Sequence, residues 1–434
     1  MGKKLSVIVI GAGSRGMGYS RTAAQLKEDY EIVAVAEPVE CRRNYIKELY
    51  NLPDDRCFTD WREILALPKM ADAAFICTMD RDHFAPTMKA IDLGYEIMLE
   101  KPIAPTPEEC AAITKAAEQK GVHVLICHVL RFTPFYGRLK QLILDGKVGE
   151  VQAVQQIEKV GMLHQSHSFV RGNWGNSERS SCMLLQKSCH DIDIIQWLID
   201  KRCERVSSFG SRRYFCEENA PEGAPERCLD GCPHADTCIF NARDIYLTPT
   251  ERHKSYASWF RPTASMLLKP TEEDMRKVLE TTNYGKCVFR CDNDVVDRQV
   301  VNMEFEGGVV ASFTMTAFTS GTGGRSIRIM GTKGALSANA TDKEILYEDF
   351  ENGTSEMIPV VGGTGDGTIQ GGHGGGDYGI MATFSHLVSG DYDGVAAAPI
   401  GVSCENHMIV FAAEEARATG TVVSVPEFAA RYGL

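Results

Sequence analysis

The chain has 434 residues, of which 44% are hydrophobic and 24% charged, and its formal net charge is −12. This length favours two domains, and the ordinary composition allows a substantial core. The acidic balance argues against a nucleic-acid partner, because phosphate binding needs a basic surface. No apolar run approaches the length of about 18 residues that a transmembrane helix needs, and no basic amphipathic stripe suits a membrane surface. A cytoplasmic protein without a membrane partner is therefore expected.

Residues 1–127 alternate short β-rich runs with helical patterns. The predicted strands are Leu5–Ile10, Ile32–Ala36, Ala73–Cys77, Glu96–Leu99 and Val122–Cys127. The intervening segments include Thr22–Tyr30, Thr87–Gly94 and Pro107–Lys120. Several of them carry Ala, Leu and Ile at helical spacing. Such alternation predicts an α/β fold whose parallel sheet is doubly wound, a Rossmann domain.

The pattern changes after residue 127, and residues 128–434 are predicted to form a second, α+β domain. Its strand-like runs are Val151–Val160, Gln299–Phe305, Val309–Phe318 and Ser326–Met330. Its helix-like runs include Cys182–Ile199, Tyr378–Val388 and Ser403–Thr419, and Gly362–Gly376 is a glycine-rich loop. Strands with exposed faces predict a mixed or antiparallel sheet with helices on one side.

A dinucleotide-binding pattern follows the first predicted strand. Gly11-Ala-Gly13-Ser14-Arg15-Gly16 matches G-x-G-x-x-G at the point where a strand ends and a helix begins, which is the context this motif requires. Gly11 allows the tight turn, Gly13 lets the backbone approach a diphosphate, and Gly16 allows close packing. The free N–H groups at the helix start, where Ser14 and Arg15 lie, favour an anion.

The second predicted strand is followed by an acidic residue, Glu37. A carboxylate at this position accepts hydrogen bonds from ribose hydroxyls and repels a 2′-phosphate, which favours NAD over NADP. Arg42 and Arg43 are close enough to weaken that preference, although a solvated helix face is the more common explanation of such residues.

Glu100-Lys101-Pro102 follows the fourth predicted strand. The carboxyl edge of a doubly wound sheet faces the ligand crevice. A lysine there can donate a hydrogen bond to a substrate hydroxyl or help move its proton. Taken alone, a Lys-Pro after a strand is more often part of a plain loop.

Several of these features together resemble the glucose–fructose oxidoreductase / inositol dehydrogenase / MocA (Gfo/Idh/MocA) family. The resemblance spans most of the chain and rests on the glycine-rich turn, Glu37, Glu100-Lys101-Pro102, Arg131-Phe132 and the run Gln186–Asp193. It implies a Rossmann domain, with Glu100 and Lys101 beside the cofactor, and a second domain with a large open sheet. It also implies hydride exchange between a nicotinamide and a sugar or cyclitol carbon, and a homo-oligomer, either dimer or tetramer.

The resemblance also assigns roles to individual residues. Lys101 matches the family's active-site lysine, and His190 matches the histidine used for proton transfer or substrate binding. Asp193 lies three residues later on the same helical face and is expected to orient the imidazole. The family's catalytic aspartate corresponds to Gln186, which cannot take a proton. The base is then His190, Lys101 or Lys187, or the reaction differs from a simple alcohol oxidation.

Residues 164–174 follow the first strand of the second domain and concentrate polar donors with an aromatic face, as sugar binding requires. The alternative is an exposed connecting loop. His373, in a glycine-rich segment, resembles a segment of family members that include NAD-dependent glycoside hydrolases, although a mobile loop would look the same. The predicted substrate contacts are His167, Arg171, Trp174, Gln186, Lys187 and His373.

The chain has 15 cysteines, which are expected to be reduced thiols in the cytoplasm. Cys228, Cys232 and Cys238 lie close together in a loop-like segment, and Cys287 follows downstream. Thiolates at short spacing are ligands for tetrahedral zinc, with Cys287 or His234 as the fourth ligand. An iron–sulfur cluster and a thiol-rich loop without metal are the alternatives.

Three functions fit the sequence. The first is an NAD-dependent sugar or cyclitol dehydrogenase. The second is an NAD-dependent glycoside hydrolase that works through transient oxidation, elimination, hydration and re-reduction. The third is a non-catalytic NAD- or sugar-sensing protein, against which the presence of both Lys101 and His190 argues.

Overall fold

A computed structural model describes residues 4–320, 323–361 and 373–434. Within these ranges the strands form two sheets, one parallel and one mixed. The strands of the parallel sheet are β1 (Leu5–Ile10), β2 (Tyr30–Ala36), β3 (Cys57–Phe58), β4 (Ala73–Ile76), β5 (Glu96–Leu99) and β6 (Val124–Ile126).

The parallel sheet has the order β3-β2-β1-β4-β5-β6. The central strand β1 pairs in parallel with β2 on one side and with β4 on the other. The order reverses at β1, so the carboxyl ends of β1 and β4 flank a crevice in which ligands of this architecture bind. The predicted doubly wound α/β sheet is confirmed.

The second sheet is mixed, as predicted. Its strands are β7 (Val151–Lys159), β8 (Cys203–Ser211), β9 (Arg298–Phe305), β10 (Val309–Thr316), β11 (Gly324–Gly331), β12 (Gly334–Asn339), β13 (Glu344–Asp349), β14 (Thr354–Pro359) and β15 (Val423–Ser424). Among the described residues the order is β14-β13-β12-β11-β7-β10-β9-β8-β15. Only β7 and β10 pair in parallel there; the other pairs are antiparallel.

The helices divide between the two parts of the chain. Those before residue 128 are α1 (Ser14–Gln25), α2 (Glu40–Tyr50), α3 (Trp61–Leu65), α4 (Phe84–Asp92) and α5 (Pro107–Lys120). Those after it are α6 (Pro134–Leu144), α7 (Met162–Ser166), α8 (Met183–Ile199), α9 (Lys254–Ser265), α10 (Glu272–Thr281), α11 (Gly376–Ser389), α12 (Ile400–Thr419) and α13 (Val425–Ala430). In the described part of the chain no helix is both long and apolar enough to cross a membrane.

Local sequence explains where α5 begins and ends. The Thr106 hydroxyl accepts a hydrogen bond from the Glu109 N–H, and Pro107 occupies the first turn, where its missing N–H costs nothing. Gly121 ends the helix in the left-handed conformation. The helix α8 is buried along nearly its whole length, so its polar residues face protein interior rather than bulk water.

The last part of the chain returns to the parallel sheet. Phe384 of α11 packs edge-on against Phe75 of β4, and Tyr30 of β2 donates a hydrogen bond to the Met381 carbonyl. The helix α12 contacts α5, α8 and β8, and thus joins both sheets. Because these late residues pack against both sheets, their contacts do not define a boundary at residue 127. The domain boundary there stays a prediction from the sequence.

Candidate active site

The glycine-rich turn lies between β1 and α1. Gly11 has φ +86°, and a Cβ there would lie 2.7 Å from the Cys77 carbonyl oxygen. A Cβ on Gly16 would lie 2.0 Å from the Gly11 carbonyl oxygen. Both positions therefore require glycine. At Gly13 a Cβ would meet nothing nearer than Arg42 Nη1, at 3.9 Å.

The open face over Gly13 fits a dinucleotide diphosphate. Gly13 caps α1, whose first turn carries no acidic side chain, and Ser14 is exposed. Glu37 follows β2 and lies at the same turn, where its carboxylate accepts hydrogen bonds from Ala12 N (2.6 Å) and Val39 N (2.9 Å). These contacts hold the carboxylate beside the space over Gly13, where NAD would bring its ribose and diphosphate.

Filling this space should block the cofactor without disturbing the fold. We expect Gly13→Val to weaken NAD binding by about tenfold or more, because φ is −66° at Gly13 and its Cβ would point into open space. Titration with NAD, followed by fluorescence, measures the affinity. Gly18→Ala is the matched control, since a Cβ on Gly18 in the same helix also meets open space. Equal affinity of Gly13→Val and Gly18→Ala for NAD would show that the diphosphate does not bind at this turn.

Arg15 connects the glycine-rich turn to the end of the chain. Its guanidinium bonds Glu100 (2.7 Å) and both oxygens of Asp377 on α11 (2.7 and 2.9 Å), and Tyr19 also donates to Glu100 (2.7 Å). Burial alone would raise the pKa of the Glu100 carboxyl, but the Arg15 and Lys101 charges hold that pKa below its usual range. Glu100 is therefore an ionised anchor beneath the cofactor turn.

Lys101 lies just beyond the carboxyl end of β5 and reaches α8. Its Nζ donates to the Gln186 carbonyl oxygen (2.7 Å) and approaches Gln186 Oε1 (3.4 Å). An ammonium has three N–H donors. These two contacts therefore leave one N–H of Lys101 without an acceptor among the described residues. The peptide bond between Lys101 and Pro102 is cis.

His190 lies one turn after Gln186 on α8 and is almost fully buried. Its Nδ1 is a buried nitrogen without a hydrogen-bond partner among the described residues. Burial, followed by the positive charge of Lys101, lowers the pKa of His190 well below its usual range. The imidazole is therefore neutral near pH 7 and can accept a proton.

Asp193 does not orient His190, which corrects the prediction. Its carboxylate forms a bidentate ion pair with Arg131 (2.7 and 2.8 Å) and accepts from Asn406 Nδ2 (2.5 Å). Because α8 is buried on several sides, the spacing of three residues directs Asp193 toward Arg131 and α12. The His128 ring packs edge-on against His190, with ring centroids 6.0 Å apart.

A second set of charges lies between α8 and the mixed sheet. Glu158 of β7 pairs with Lys187 Nζ (3.1 Å) and with Arg325 Nε (2.9 Å) of β11. Arg325 also bonds Asp191 (2.8 and 3.2 Å). Burial raises the pKa of Asp191, and the Arg325 charge opposes that shift. Lys187, a predicted substrate contact, is therefore held by Glu158.

His164 on α7 is a site residue that the sequence did not single out individually. Burial lowers its pKa well below the usual range, and the charges of Lys187, Arg325 and Lys101 add to the effect. Those three cations and His164 therefore lie within electrostatic reach of one another. Trp259 packs edge-on against the His164 ring, with centroids 4.8 Å apart.

Three of the predicted substrate contacts from residues 164–174 are used in packing. His167 stacks on Phe260 with ring centroids 3.8 Å apart, and its Nδ1 lies 2.9 Å from the Tyr246 hydroxyl. Arg171 is buried and donates to two backbone carbonyl oxygens. Trp174 is half-buried against the core. The alternative of an exposed connecting loop is wrong, because the segment is largely interior.

His373 begins the described part of the glycine-rich segment, whose residues 362–372 lie outside the described ranges. Its Nδ1 lies 3.0 Å from Asp377 and 3.2 Å from Arg15 Nη1. The His373 charge is also among the causes that lower the pKa of His190. His373 therefore connects the cofactor turn to the neighbourhood of His190.

Mild acid should destabilise the protein through its buried histidines. Burial lowers the pKa of His128, His164, His167, His190 and His407, to about 3 for His167 and His407. The unfolded chain then binds more protons below about pH 6.5. The free energy of unfolding should fall with pH there, by up to about 1.4 kcal/mol per pH unit for each histidine. Denaturant midpoints measured between about pH 7.5 and 5 test this prediction, and a variant of an exposed histidine, His386→Gln, is the control. A midpoint that does not change with pH would contradict the prediction.

All 15 cysteines are free thiols. Within the ranges that the structure covers, no three or more His, Cys, Asp or Glu side chains are grouped so that they could hold a metal ion. The predicted zinc site is therefore not supported by the side-chain positions. Cys228, Cys232, Cys238 and Cys287 nevertheless line one small cavity.

Comparison with known proteins identifies relatives over most of the chain. YteT of Bacillus subtilis (strain 168), named as an oxidoreductase, is 25% identical over 365 residues, which cover 80% of this chain and 80% of that protein. Inositol 2-dehydrogenase of Corynebacterium glutamicum (strain R) is 28% identical over 208 residues. That match covers 48% of this chain and only 57% of the dehydrogenase.

A solved structure has the same fold. Levoglucosan dehydrogenase, in complex with NADH and levoglucosan, superposes with a TM-score of 0.71 at 17% identity. The superposition covers 98% of this chain and all of that one, 100%. Identity this low shows the fold alone.

Two family models match the chain. Residues 5–128 match the model described as an oxidoreductase family with an NAD-binding Rossmann fold. Residues 140–356 match the C-terminal alpha/beta domain of the same family. Together the matches span well over half of the sequence, and the chain therefore belongs to the Gfo/Idh/MocA family of oxidoreductases.

Proposed function

We propose that the protein oxidises a hydroxyl-bearing carbon of a sugar, sugar derivative or cyclitol, with NAD as the cofactor. The observation that carries this proposal is the placement of Lys101 and His190. Lys101, at the carboxyl end of β5, bonds the helix that carries His190, and burial together with the Lys101 charge lowers the pKa of that histidine. A relative named inositol 2-dehydrogenase supports the substrate class.

His190 is the proton acceptor in this proposal. Oxidation of an alcohol removes the hydroxyl proton and the hydrogen on carbon, and NAD, when bound, supplies the acceptor for the latter as hydride. A base must be unprotonated at the operating pH, and the lowered pKa of His190 keeps its imidazole neutral. Its Nδ1 forms no hydrogen bond with the described residues, so no internal partner holds the ring in one protonation state.

Lys101 stabilises the oxygen from which the proton leaves. Two of its N–H donors are directed at Gln186, so the third can point at the substrate. Because the Gln186 side chain is uncharged, it does not neutralise the Lys101 charge. The retained positive charge stabilises negative charge on the substrate oxygen and keeps His190 from being protonated prematurely.

A redox-neutral glycoside hydrolase is the second candidate. It starts with the same oxidation, then eliminates the aglycone, adds water and reduces the product again. The observation in its favour is that a second histidine, His373, lies at the cofactor turn, with its Nδ1 3.0 Å from Asp377 and 3.2 Å from Arg15 Nη1. A second histidine near the site would suit the additional proton transfers of elimination.

One assay separates the two candidates. The purified protein is incubated with NAD and a panel of cyclitols, free sugars and aryl glycosides, while reduced nicotinamide and released aglycone are followed together. Net reduction with a polyol or free sugar is the expected result. Aglycone release without net reduction of NAD would contradict the dehydrogenase function and support the glycoside hydrolase. If neither signal appears although NAD is bound, both catalytic functions are contradicted and the non-catalytic sensing protein is favoured.

We also propose that the open face of the mixed sheet forms a contact between copies of the chain. The exposed fractions of Phe209, Val300 and Ile157 on this face are 69, 36 and 39%. Cross-strand pairing aligns them in one row through Thr314. An apolar row of this kind is typical of an interface. Light scattering after gel filtration should give a dimer or tetramer, and Phe209→Lys should shift it toward monomer; a monomeric wild-type protein would contradict this.

A further inference from the structure

The chain between β8 and β9 leaves the mixed sheet and returns to it at one place. These strands pair antiparallel, with Ser211 at the end of β8 opposite Arg298 at the start of β9. The intervening residues 212–297, which we call the excursion, include α9 and α10. They also enclose a buried apolar cluster of their own, drawn from residues 242–279. The excursion is therefore a packed body with a defined surface and not a loose connection.

Strand register places the excursion beside the candidate active site. Arg298 pairs with Thr316 of β10, and Thr316 pairs with Lys159 at the end of β7. The excursion therefore leaves the sheet at the same edge as the carboxyl end of β7. The helix α7, which carries His164, begins three residues after Lys159. The excursion and the His164 segment thus start from one edge of the mixed sheet.

Two buried contacts fix the excursion to the segment that follows β7. The Phe260 ring of α9 stacks on His167, with ring centroids 3.8 Å apart and planes at 11°. Arg171 donates hydrogen bonds to the carbonyl oxygens of Phe240 and Lys286 in the excursion, both at 2.8 Å. Phe260, His167 and Arg171 are all buried. The helix α9 is therefore held in a defined position against this segment.

Trp259 precedes Phe260 on α9 and stays open where Phe260 is buried. It is 38% exposed, and its ring packs edge-on against His164, with centroids 4.8 Å apart and planes at 80°. The His164 ring forms no hydrogen bond with another described residue, and it lies within electrostatic reach of Lys101 and Lys187. A rigid aromatic surface beside a few polar groups is the usual composition of a small-molecule pocket.

The chemistry of a ring-shaped polyol matches this surface. A pyranose or a cyclitol directs most of its hydroxyls outward from the ring, so its faces present C–H groups. An indole offers a flat apolar area to such a face, and a neutral imidazole can donate and accept hydrogen bonds at the hydroxyl rim. An open-chain alditol has no fixed face, and it loses more conformational freedom when it binds.

We infer that Trp259 forms one wall of the substrate pocket and binds the C–H face of a ring-shaped polyol, a pyranose or a cyclitol, in preference to an open-chain alditol. The inference rests on the proposed function, which places the reacting carbon beside Lys101 and His190. Trp259 takes no part in the transfer of hydrogen. It is a specificity residue, and the excursion supplies it, whereas neither sheet contributes to this wall.

Steady-state kinetics of the full-length protein test this role. With a ring substrate, Trp259→Ala should raise KM by about tenfold and leave kcat nearly unchanged, because stacking holds the ground state and the transition state equally. Trp259→Phe keeps an aromatic ring and should lie between. The control Phe350→Ala removes an exposed ring just after β13 and should leave KM unchanged. An unchanged KM in Trp259→Ala, or a loss confined to kcat and melting temperature, would overturn the inference while the dehydrogenase function stands.

Calorimetric titration separates this inference from the proposed function. Protein saturated with NADH, which cannot accept a hydride, is titrated with myo-inositol, methyl glucopyranoside and the open-chain alditol sorbitol. A ring compound should bind more tightly than sorbitol, and Trp259→Ala should weaken that binding by about tenfold. The same result without any turnover of NAD would refute the dehydrogenase function and keep the inference. Sorbitol bound as tightly as the ring compounds, or neither ring compound bound, would overturn the inference.

Discussion

Lys101→Met is expected to lower kcat by about 10²–10⁴-fold while the dissociation constant for NAD stays nearly unchanged. Methionine keeps most of the apolar stem and removes the charge that bonds Gln186 and lowers the pKa of His190. The glycine-rich turn and Glu37 do not involve the Lys101 side chain, so cofactor binding persists. Steady-state kinetics with an active substrate and a fluorescence titration with NAD measure the two effects separately.

The matched control is Lys120→Met, which makes the same chemical change at an exposed position near the end of α5. It should leave kcat unchanged. A Lys101→Met enzyme that turns over like Lys120→Met would show that Lys101 takes no part in the reaction. A parallel loss of NAD affinity would assign it to the cofactor instead.

His190→Asn should reduce kcat by a similar factor, about 10²–10⁴-fold, because asparagine keeps a polar group and cannot accept a proton. The wild-type pH profile gives an independent test. Burial and the Lys101 charge disfavour the imidazolium, so the pKa of His190 lies well below its usual range. The base therefore stays unprotonated as the pH falls through about 6.5, and kcat/KM should remain flat there.

His386→Asn is the control for this variant, since His386 is exposed on α11 and pairs with Asp391. Its rate and pH profile should match those of the wild type. An acidic limb of kcat/KM near the ordinary histidine pKa, or an active His190→Asn enzyme, would exclude His190 as a buried neutral base.

The parallel sheet was predictable because its strands are continuous apolar runs. Four of its six strands are short runs with few polar residues, and β1 and β5 match the predicted bounds. The helix-like segment Thr22–Tyr30 was placed too far along the chain, since α1 spans Ser14–Gln25 and β2 already begins at Tyr30. The glycine-rich motif did indicate where this helix begins, but the spacing of apolar residues did not, because the first half of α1 is glycine-rich and lacks apolar periodicity.

The two-residue strand β3 was missed for a related reason. Cys57 and Phe58 pair with the end of β2, and a strand this short has no alternating pattern to detect. Its existence depends on β2 being extended beside it, which is a tertiary effect.

Within the site, short motifs in the sequence predicted which residues take part, but they did not predict where the side chains point. The sequence placed Lys101 and His190 in the site, but it could not show that Asp193 turns toward Arg131. Arg325 was missed because its partner Glu158 is its neighbour only through the pairing of β11 with β7. Register between strands so distant in sequence is not readable from either strand alone.

The most direct test of the account follows the hydrogen removed from carbon. An active sugar or cyclitol carrying deuterium at the oxidised carbon is incubated with NAD and the wild-type protein, and the cofactor is analysed by mass spectrometry. The account predicts one deuterium in the reduced nicotinamide and a slower rate than with the unlabelled substrate. Product that forms with no deuterium in the cofactor, or with the deuterium returned to the product, would contradict net oxidation by NAD at this site.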